Sequence, residues 1–112
     1  MRMRTLPRLL LRLSPLVLLV SSSCGLYRGI YSCYSVALGK CFDYGEIDQL
    51  PASTRCGLTT GGSLQSNACP TGDRVGSCAR SEDTVRYYTP TFDATSAQTA
   101  CQTDDGGTFS AR

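Results

Sequence analysis

The side chains best suited to chemistry in this 112-residue chain are its seven cysteines. Structural zinc sites place cysteines about two to four residues apart, and redox-active pairs use C-x-x-C. The closest pair here, Cys33 and Cys41, is separated by seven residues. We therefore predict no metal, no cofactor and no redox motif. We expect the six cysteines after Cys24 to form disulfides, as in small exported domains: Cys33, Cys41, Cys56, Cys69, Cys78 and Cys101.

Cys24 differs from the others because it directly follows a segment typical of export. The first 12 residues hold four arginines and no acid, residues 13–20 are mostly apolar, and three serines precede Cys24. A basic start, a short apolar run and a small-residue end are the parts of a secretory signal peptide. The apolar run is far shorter than the roughly 20 residues that a membrane-spanning helix needs. We expect residues 1–23 to be a cleaved signal peptide.

The odd cysteine count is explained if Cys24 carries a lipid. Its position resembles the lipobox of bacterial lipoproteins, in which the cysteine is acylated and becomes the first mature residue. Those lipoboxes usually have Leu three residues earlier, where this chain has Ser21. Ser21 and Ser23 also suit an ordinary signal peptidase, so secretion with an unmodified Cys24 stays open. Gly25 is not the aspartate that marks inner-membrane retention, so the resemblance implies the outer membrane or cell surface.

Side chains that could catalyse a reaction are few. The chain has no histidine, which excludes Ser-His-Asp and Cys-His mechanisms. The single lysine, Lys40, would have to serve any Ser-Lys dyad, and we expect it to be solvated. A hydrolase that uses two carboxylates stays as a third hypothesis, although the nine acids cluster near predicted turns and helix ends. We predict that the protein is not an enzyme.

The charge balance excludes one class of partner. Once residues 1–23 are removed, seven basic residues stand against nine acidic ones, a net charge of −2. No basic stripe remains for a phosphate backbone, so we expect no nucleic-acid partner. The expected partners are the membrane, through a lipid on Cys24, and an unidentified protein or glycan. Exposed tyrosines could bind such a partner, but in small disulfide-rich domains aromatic rings more often fill the core.

A duplicated motif indicates which elements position the cysteines. Residues 52–64 and 97–109 both read A-x3-C-x4-G-G-[ST]-[LF]. The alanine and the cysteine, four residues apart, lie on one face of a helix. Pro51 suits a first helical turn and Asp93 an N-cap. The first glycine of each pair can end the helix in the left-handed conformation, and the second can turn the chain into a strand: Gly61, Gly62, Gly106 and Gly107.

The whole chain is therefore predicted to be a small α+β domain. Segments 31–34, 40–44, 75–80 and 84–88 have the composition of strands. We expect an antiparallel, disulfide-rich sheet with two short helices, built from tandem pseudo-repeats at about 31–68 and 69–112. Residues 24–30 would form the anchor and a short tether, and residues 31–112 the single domain.

The predicted repeat also favours certain disulfides. Taken in order, Cys33 matches Cys69, Cys41 matches Cys78, and Cys56 matches Cys101. Helix-to-strand bridges would then join Cys41 to Cys56 and Cys78 to Cys101, with Cys33–Cys69 between the halves. The alternative that stays open is Cys33–Cys41, Cys69–Cys78 and Cys56–Cys101.

Several segments together resemble a known group of proteins. The lipobox-like Cys24, GKCFDYG, VGSCARS, YYTPTF and the ending AxxxCxxxxGGTF are similar to short cysteine-rich bacterial lipoproteins of uncharacterised function. The resemblance spans most of residues 24–112 and implies a location and an architecture, but no activity. We expect an exported, lipid-anchored, non-enzymatic cell-envelope protein with a structural or interaction role. The alternative is a freely secreted disulfide-rich inhibitor or effector.

Overall fold

The computed structural model describes residues 27–112, so the expected signal peptide and Cys24 lie outside the described residues. One antiparallel sheet has its six strands in the order β3-β1-β2-β5-β4-β6. Together with two helices it confirms the predicted α+β class. The elements in chain order are β1 (Arg28–Ser35), β2 (Lys40–Asp48), α1 (Gln49–Gly57), β3 (Gly62–Gln65), β4 (Arg74–Ala79), β5 (Thr84–Tyr88), α2 (Ala94–Ala100), a π-helical turn (Cys101–Asp105) and β6 (Thr108–Ala111).

The first strand begins earlier than its composition indicated. Arg28 pairs with Asp48 at the far end of β2, and the amide of Gln49 donates to the carbonyl of Tyr27. Residues 28–30, interpreted above as tether, therefore belong to the sheet. They were missed because Gly29 and the charged Arg28 have little strand propensity of their own, and pairing with β2 decides the conformation.

Both helices begin as their sequences predict, but α1 ends earlier than expected: its last residue is Gly57 and Gly61 lies four residues beyond it, whereas Gly106 directly follows the π-helical turn after α2. Asp93 caps α2: its carboxylate accepts from the Ser96 amide at 2.8 Å, and the Ser96 hydroxyl accepts in return from the Asp93 amide. Pro51 lies in the first turn of α1. Gly61 and Gly106 have φ of +63° and +64°, a conformation that glycine adopts without steric cost.

Strand register places both helices on one face of the sheet. Side chains that lie opposite one another in paired strands share a face. One such row crosses all six strands and includes Cys33 and Cys78, which are bonded to α1 and α2 respectively. We call this the helix face and the opposite side the open face. The complete row on the helix face is Leu64, Cys33, Phe42, Val85, Cys78 and Phe109.

All six cysteines of the domain are paired, but only one expected bridge is correct. The disulfides are Cys33–Cys56, Cys41–Cys69 and Cys78–Cys101. Cys78–Cys101 is confirmed, whereas Cys41–Cys56, Cys33–Cys69 and all three bridges of the alternative are wrong. The reason is the register: Cys33 lies opposite Phe42, so Cys41 points to the open face and cannot reach α1.

The register also corrects the matching of the two cysteine triplets. Cys78 lies 45 residues after Cys33, Cys101 lies 45 residues after Cys56, and both bridges have a sequence separation of 23. Cys33 and Cys78 both lie on the helix face and are both bonded to a helix, whereas Cys41, which the sequence matched with Cys78, lies on the open face. Cys69 lies in the linker between β3 and β4. Cys41–Cys69 has no counterpart.

The linker, residues 66–73, covers the first half of the open face. Cys41 and Cys69 are buried there with Tyr88, and Tyr34 packs against them. The Cys69 amide donates to Asp43 at 3.1 Å, and the Tyr88 hydroxyl donates to the Pro70 carbonyl at 2.6 Å. Within residues 27–112, the linker does not extend over the second half of the open face, where β4, β5 and β6 line an accessible groove.

Most tyrosines fill the interior, as expected for a domain of this kind. Tyr31, Tyr87 and Tyr88 are buried, and Tyr87 belongs to the main core cluster between the sheet and α2. Tyr27 is 71% exposed. The tyrosines therefore form no shared exposed row, and a binding site has to be sought elsewhere on the surface.

Candidate functional site

A groove of about 550 Å³ lies on the uncovered half of the open face. Strands β4, β5 and β6 form its floor, and the end of the linker forms one wall. Its size falls in the range typical of small-ligand sites. We call it the arginine groove, after three of its lining residues; the side chains that matter most are Arg74, Arg86, Arg112, Ser77, Ser110 and Thr71.

Arg86 lies at the inner end of the groove, on β5, directly opposite Cys41. Its Nε donates to Asp43 Oδ2 at 3.2 Å, and its Nη1 donates to Ser77 Oγ at 2.7 Å. Asp43 and Ser77 lie on the strands to either side, β2 and β4. The guanidinium is therefore held flat against the sheet. Its remaining N–H groups make no hydrogen bond within residues 27–112 and can bind an acceptor.

Arg74 begins β4 and links the groove to the linker. The preceding Asp73 has φ of +61°, a turn conformation that aspartate tolerates better than most residues. The Nη2 of Arg74 donates to the carbonyls of Cys69 and Pro70 at 3.2 and 2.9 Å. Its Nε is buried and has no hydrogen-bond partner among the described residues.

Arg112 completes the cationic wall beside β6. Within residues 27–112, Arg74 and Arg112 are the two cations without a carboxylate inside 4.0 Å. Hydroxyl groups of Ser77, Ser110 and Thr71 line the space between the guanidiniums. The groove therefore offers donors and positive charge, and no acidic side chain lines it.

The helix face has a second cluster of charges, which joins the two halves of the chain. Asp83 has a side chain only 1% exposed. Its carboxylate accepts from Arg80 in bidentate fashion, with both distances 2.6 Å, and from Arg55 at 3.1 Å. Arg55 also stacks over the Tyr44 ring at 4.4 Å. Bidentate pairs of this kind fix geometry, so the cluster positions α1 against the β4–β5 turn.

Asp105 makes a similar connection next to this cluster, with its Oδ1 4.0 Å from Arg80 Nη1. It accepts from Lys40 Nζ at 3.2 Å and from the hydroxyl of Tyr87. Burial raises the pKa of Tyr87, and the hydrogen bond to the Asp105 carboxylate raises it further. The Lys40 side chain is only 13% exposed, so the expectation that it is solvated is wrong. Its aliphatic stem is covered and its ammonium is paired.

The predicted site residues hold the fold together rather than form one site. The six cysteines of the domain make the three staples, and Gly61, Gly62, Gly106 and Gly107 turn the chain from helix to strand on the helix face. Sequence reasoning missed the arginine groove. Its arginines are 12 and 26 residues apart along the chain, and only the order of β5, β4 and β6 in the sheet brings them together.

Comparison with models of known protein families, with curated proteins and with solved structures gave no match. Across the described range, 27–112, no helix is long and apolar enough to span a membrane. The same residues contain no group of three or more potential metal ligands. The three disulfides indicate an oxidising, extracytoplasmic location. Any more specific role must be argued from the groove and from Cys24.

Proposed function

We propose that the chain is an exported, non-enzymatic cell-envelope protein that is anchored by a lipid on Cys24 and acts as a binding module. The observation that carries the anchor is the cysteine count. The domain pairs six cysteines internally, and the sequence has seven. Acylation would give the seventh a defined fate, in agreement with the resemblance to bacterial lipoboxes.

The start of the domain supports an anchor close to the membrane. Tyr27 directly precedes β1 and is only three residues after Cys24. Three residues span at most about 10 Å, so a lipid on Cys24 would hold the sheet at the bilayer surface. Two or three acyl chains suffice for a stable anchor, at about 0.8 kcal/mol per buried methylene.

The arrangement of the acidic residues supports a binding role over a hydrolytic one. The least exposed carboxylates, Asp43, Asp83 and Asp105, each contact a guanidinium or ammonium group. Glycoside hydrolysis needs one carboxyl group that stays protonated and a second that faces it across the substrate. All three are instead held by side chains of the fold, Asp43 by Arg86, Asp83 by Arg55 and Arg80, and Asp105 by Lys40 and Tyr87.

Mass spectrometry of the mature N-terminus tests the anchor. The protein purified from the membrane fraction should begin at Cys24 and carry a diacyl or triacyl mass. Cys24→Ala should abolish that mass. Ser23→Ala is the matched control, because it keeps a small side chain at the cleavage site and should leave the lipid in place. An unmodified Cys24 on protein released into the medium would instead establish the alternative, a secreted binder.

We also propose that the two halves arose by duplication of a strand–strand–helix–strand unit. An ungapped shift of 45 residues aligns Cys33 with Cys78, Asp48 with Asp93, and the Gly61–Gly62 pair with Gly106–Gly107. Asp48 and Asp93 precede the two helices. The threonine hydroxyls in those helices, at positions 54 and 99, bond the carbonyls four residues earlier.

Transplantation of one motif into the other half tests this equivalence. Residues 56–64, placed without gaps at positions 101–109, should give a protein that folds with the same three disulfides. It should be less stable, because threonine then replaces Asp105 and the pair with Lys40 is lost. Loss of the Cys78–Cys101 bridge in a non-reducing peptide map would contradict the proposed alignment.

A further inference from the structure

We propose that the arginine groove binds an oxyanion group, either a planar carboxylate or a tetrahedral sulfate or phosphate, carried by the partner of this protein. The inference names the ligand class for the binding role proposed above, and it does not depend on whether Cys24 is acylated. Three observations support it: the distribution of charge, the hydrogen bonding of Arg74, and the part of the open face that the linker leaves uncovered.

The charge distribution is the first argument. From residue 24 onwards the chain has a net charge of −2, yet three of its seven cations line one groove. Four of the seven form ion pairs with acidic side chains elsewhere: Arg28, Lys40, Arg55 and Arg80. Arg86 pairs with Asp43, which also accepts a hydrogen bond from the Cys69 amide. Arg74 and Arg112 face the groove without a carboxylate partner. Guanidinium groups match the geometry of carboxylates and phosphates in bidentate fashion.

The second argument is the buried Nε of Arg74. A buried donor without an acceptor is costly, and native structures contain few of them. The Nη2 of the same guanidinium is fixed by the carbonyls of Cys69 and Pro70. The group therefore cannot turn away to find solvent without release of the linker. Nε itself is closed to solvent, so a ligand oxygen would pair with it only after neighbouring side chains move, and the part of this guanidinium that lines the groove is what a ligand would contact first.

The third argument is the asymmetry of the open face. One row of side chains there runs Tyr34, Cys41, Arg86, Ser77 and Ser110 from β1 to β6. The linker covers its first two members through the Cys41–Cys69 bridge. The last three line the groove. Where the first half buries a disulfide, the second half therefore presents a guanidinium and two hydroxyls to solvent.

Nuclear magnetic resonance titration of the exported protein, purified from cells that express the full chain, tests the proposal. The probes are sodium sulfate, inorganic phosphate and glucuronate, with glucose as the uncharged control. We expect at least one anion to shift the Nε–Hε resonances of Arg74 and Arg86 in a saturable way. The shifts should weaken as salt is raised, because salt screens the attraction. A comparison of the affinities for sulfate and phosphate with that for glucuronate distinguishes a tetrahedral from a planar ligand.

Two variants and one control make the test specific. Ala79→Glu puts an acid on the exposed groove floor and should weaken binding about tenfold or more, the scale of a charge-assisted hydrogen bond. Arg112→Ala should weaken it several-fold without any loss of structure. Arg28→Ala removes an exposed cation outside the groove and should leave the affinity unchanged.

Two results would overturn the proposal. One is that no anion shifts the arginine resonances of the groove in the native protein. The other is that Arg28→Ala weakens binding as much as Arg112→Ala, which would mean general charge attraction. Neither result bears on the anchor, which is judged from the mass of the N-terminus alone.

Discussion

Asp83 is a carboxylate buried between two guanidiniums, and its position makes it more important for stability than any exposed acid. The side chain is 1% exposed, while those of its partners Arg55 and Arg80 are about 30% exposed. Removal of one partner from a buried pair leaves the others without compensation. This ion-pair cluster also fixes the position of α1 against the β4–β5 turn, because Arg55 lies on α1 and Arg80 and Asp83 lie in that turn.

We predict that Asp83→Asn lowers the free energy of unfolding by about 2–3 kcal/mol, less than a fully buried pair because both arginines reach solvent. Glu82→Gln is the matched control. Glu82 faces the same Arg55 at 3.8 Å but is 79% exposed, and its loss should cost less than about 0.5 kcal/mol. Urea unfolding followed by circular dichroism measures both. Equal effects of the two variants would contradict this account of the cluster.

The raised pKa of Tyr87 predicts how stability depends on alkaline pH. The folded state keeps this phenol protonated at pH values where the unfolded chain ionises it, so its contribution is complete below the ordinary value of 10.0. It is then lost progressively as the pH rises from that value towards the folded pKa. The native protein should therefore lose stability steeply above about pH 10.

Tyr87→Phe should be less stable near neutral pH, because the hydrogen bond to Asp105 is lost, but its stability should fall less steeply above pH 10.0. Denaturant unfolding across that range measures the slope. Tyr27→Phe is the control, because Tyr27 is exposed and its removal should leave the slope as in the native protein. A Tyr87→Phe slope as steep as the native one would contradict the assignment.

At the scale of elements, the two glycines of each Gly-Gly pair have different structural roles. Gly61 and Gly106 supply the left-handed turn. Gly62 and Gly107 make room for a disulfide, since a β-carbon on either would lie 2.7 Å from the sulfur of Cys33 or Cys78. The second glycine therefore lets β3 and β6 approach the bridge that holds each helix to the sheet.

We predict that Gly62→Ala and Gly107→Ala each destabilise the domain by about 1–3 kcal/mol, the cost of overpacking in a tight interior. Gly57→Ala is the control. Gly57 ends α1 with no atom within 4 Å of the added carbon, so alanine there should stabilise by about 0.4–1 kcal/mol. Thermal unfolding distinguishes the three variants. If Gly62→Ala did not lower the free energy of unfolding, the close approach of Gly62 to the Cys33 sulfur would not contribute to stability.

The sequence predicted the helices and strands well, because these depend on residues that are neighbours along the chain. It predicted the disulfide pairing poorly, because that depends on contacts between distant residues. Asp93, Pro51 and Gly106 act on their immediate neighbours, so their positions along the chain sufficed to predict where the helices begin and where the turn after α2 ends. The end of α1 was predicted four residues too late, at Gly61 instead of Gly57. Disulfide partners depend on which face of a strand a side chain occupies. That face is decided by register, and a displacement of one residue reverses it. The bond from Cys41 to Cys69 in the linker, rather than to Cys56 in α1, therefore could not be predicted from the sequence.

At the scale of the molecule, Cys41–Cys69 is the bridge that makes the two halves different. The other two bridges hold a helix to the sheet within one half. Cys41–Cys69 holds the linker across the open face, with the Cys69 amide on Asp43. The same linker receives the Arg74 guanidinium, so the shape of the arginine groove depends on this bridge.

We predict that the double variant Cys41→Ala, Cys69→Ala loses about 3 kcal/mol of stability, as expected for a closed loop of this length, and keeps its helical circular dichroism. Amide hydrogen exchange should accelerate in residues 66–73. The Cys33–Cys56 bridge closes a loop of similar length, and the double variant Cys33→Ala, Cys56→Ala, which removes it, should instead lose the circular dichroism signal of α1. Loss of helical signal in both would show that the linker bridge supports the helix face as well.

The sheet is also poorly suited to recruiting other chains. Its outermost strands, β3 and β6, are four residues each. A long, flat border with unpaired backbone groups is the usual template for intermolecular strand addition. Each border here follows a glycine turn and presents only a short run of such groups. Under the lipid anchor proposed above, copies of the protein would share a two-dimensional surface, and these short borders would favour their remaining separate rather than polymerising.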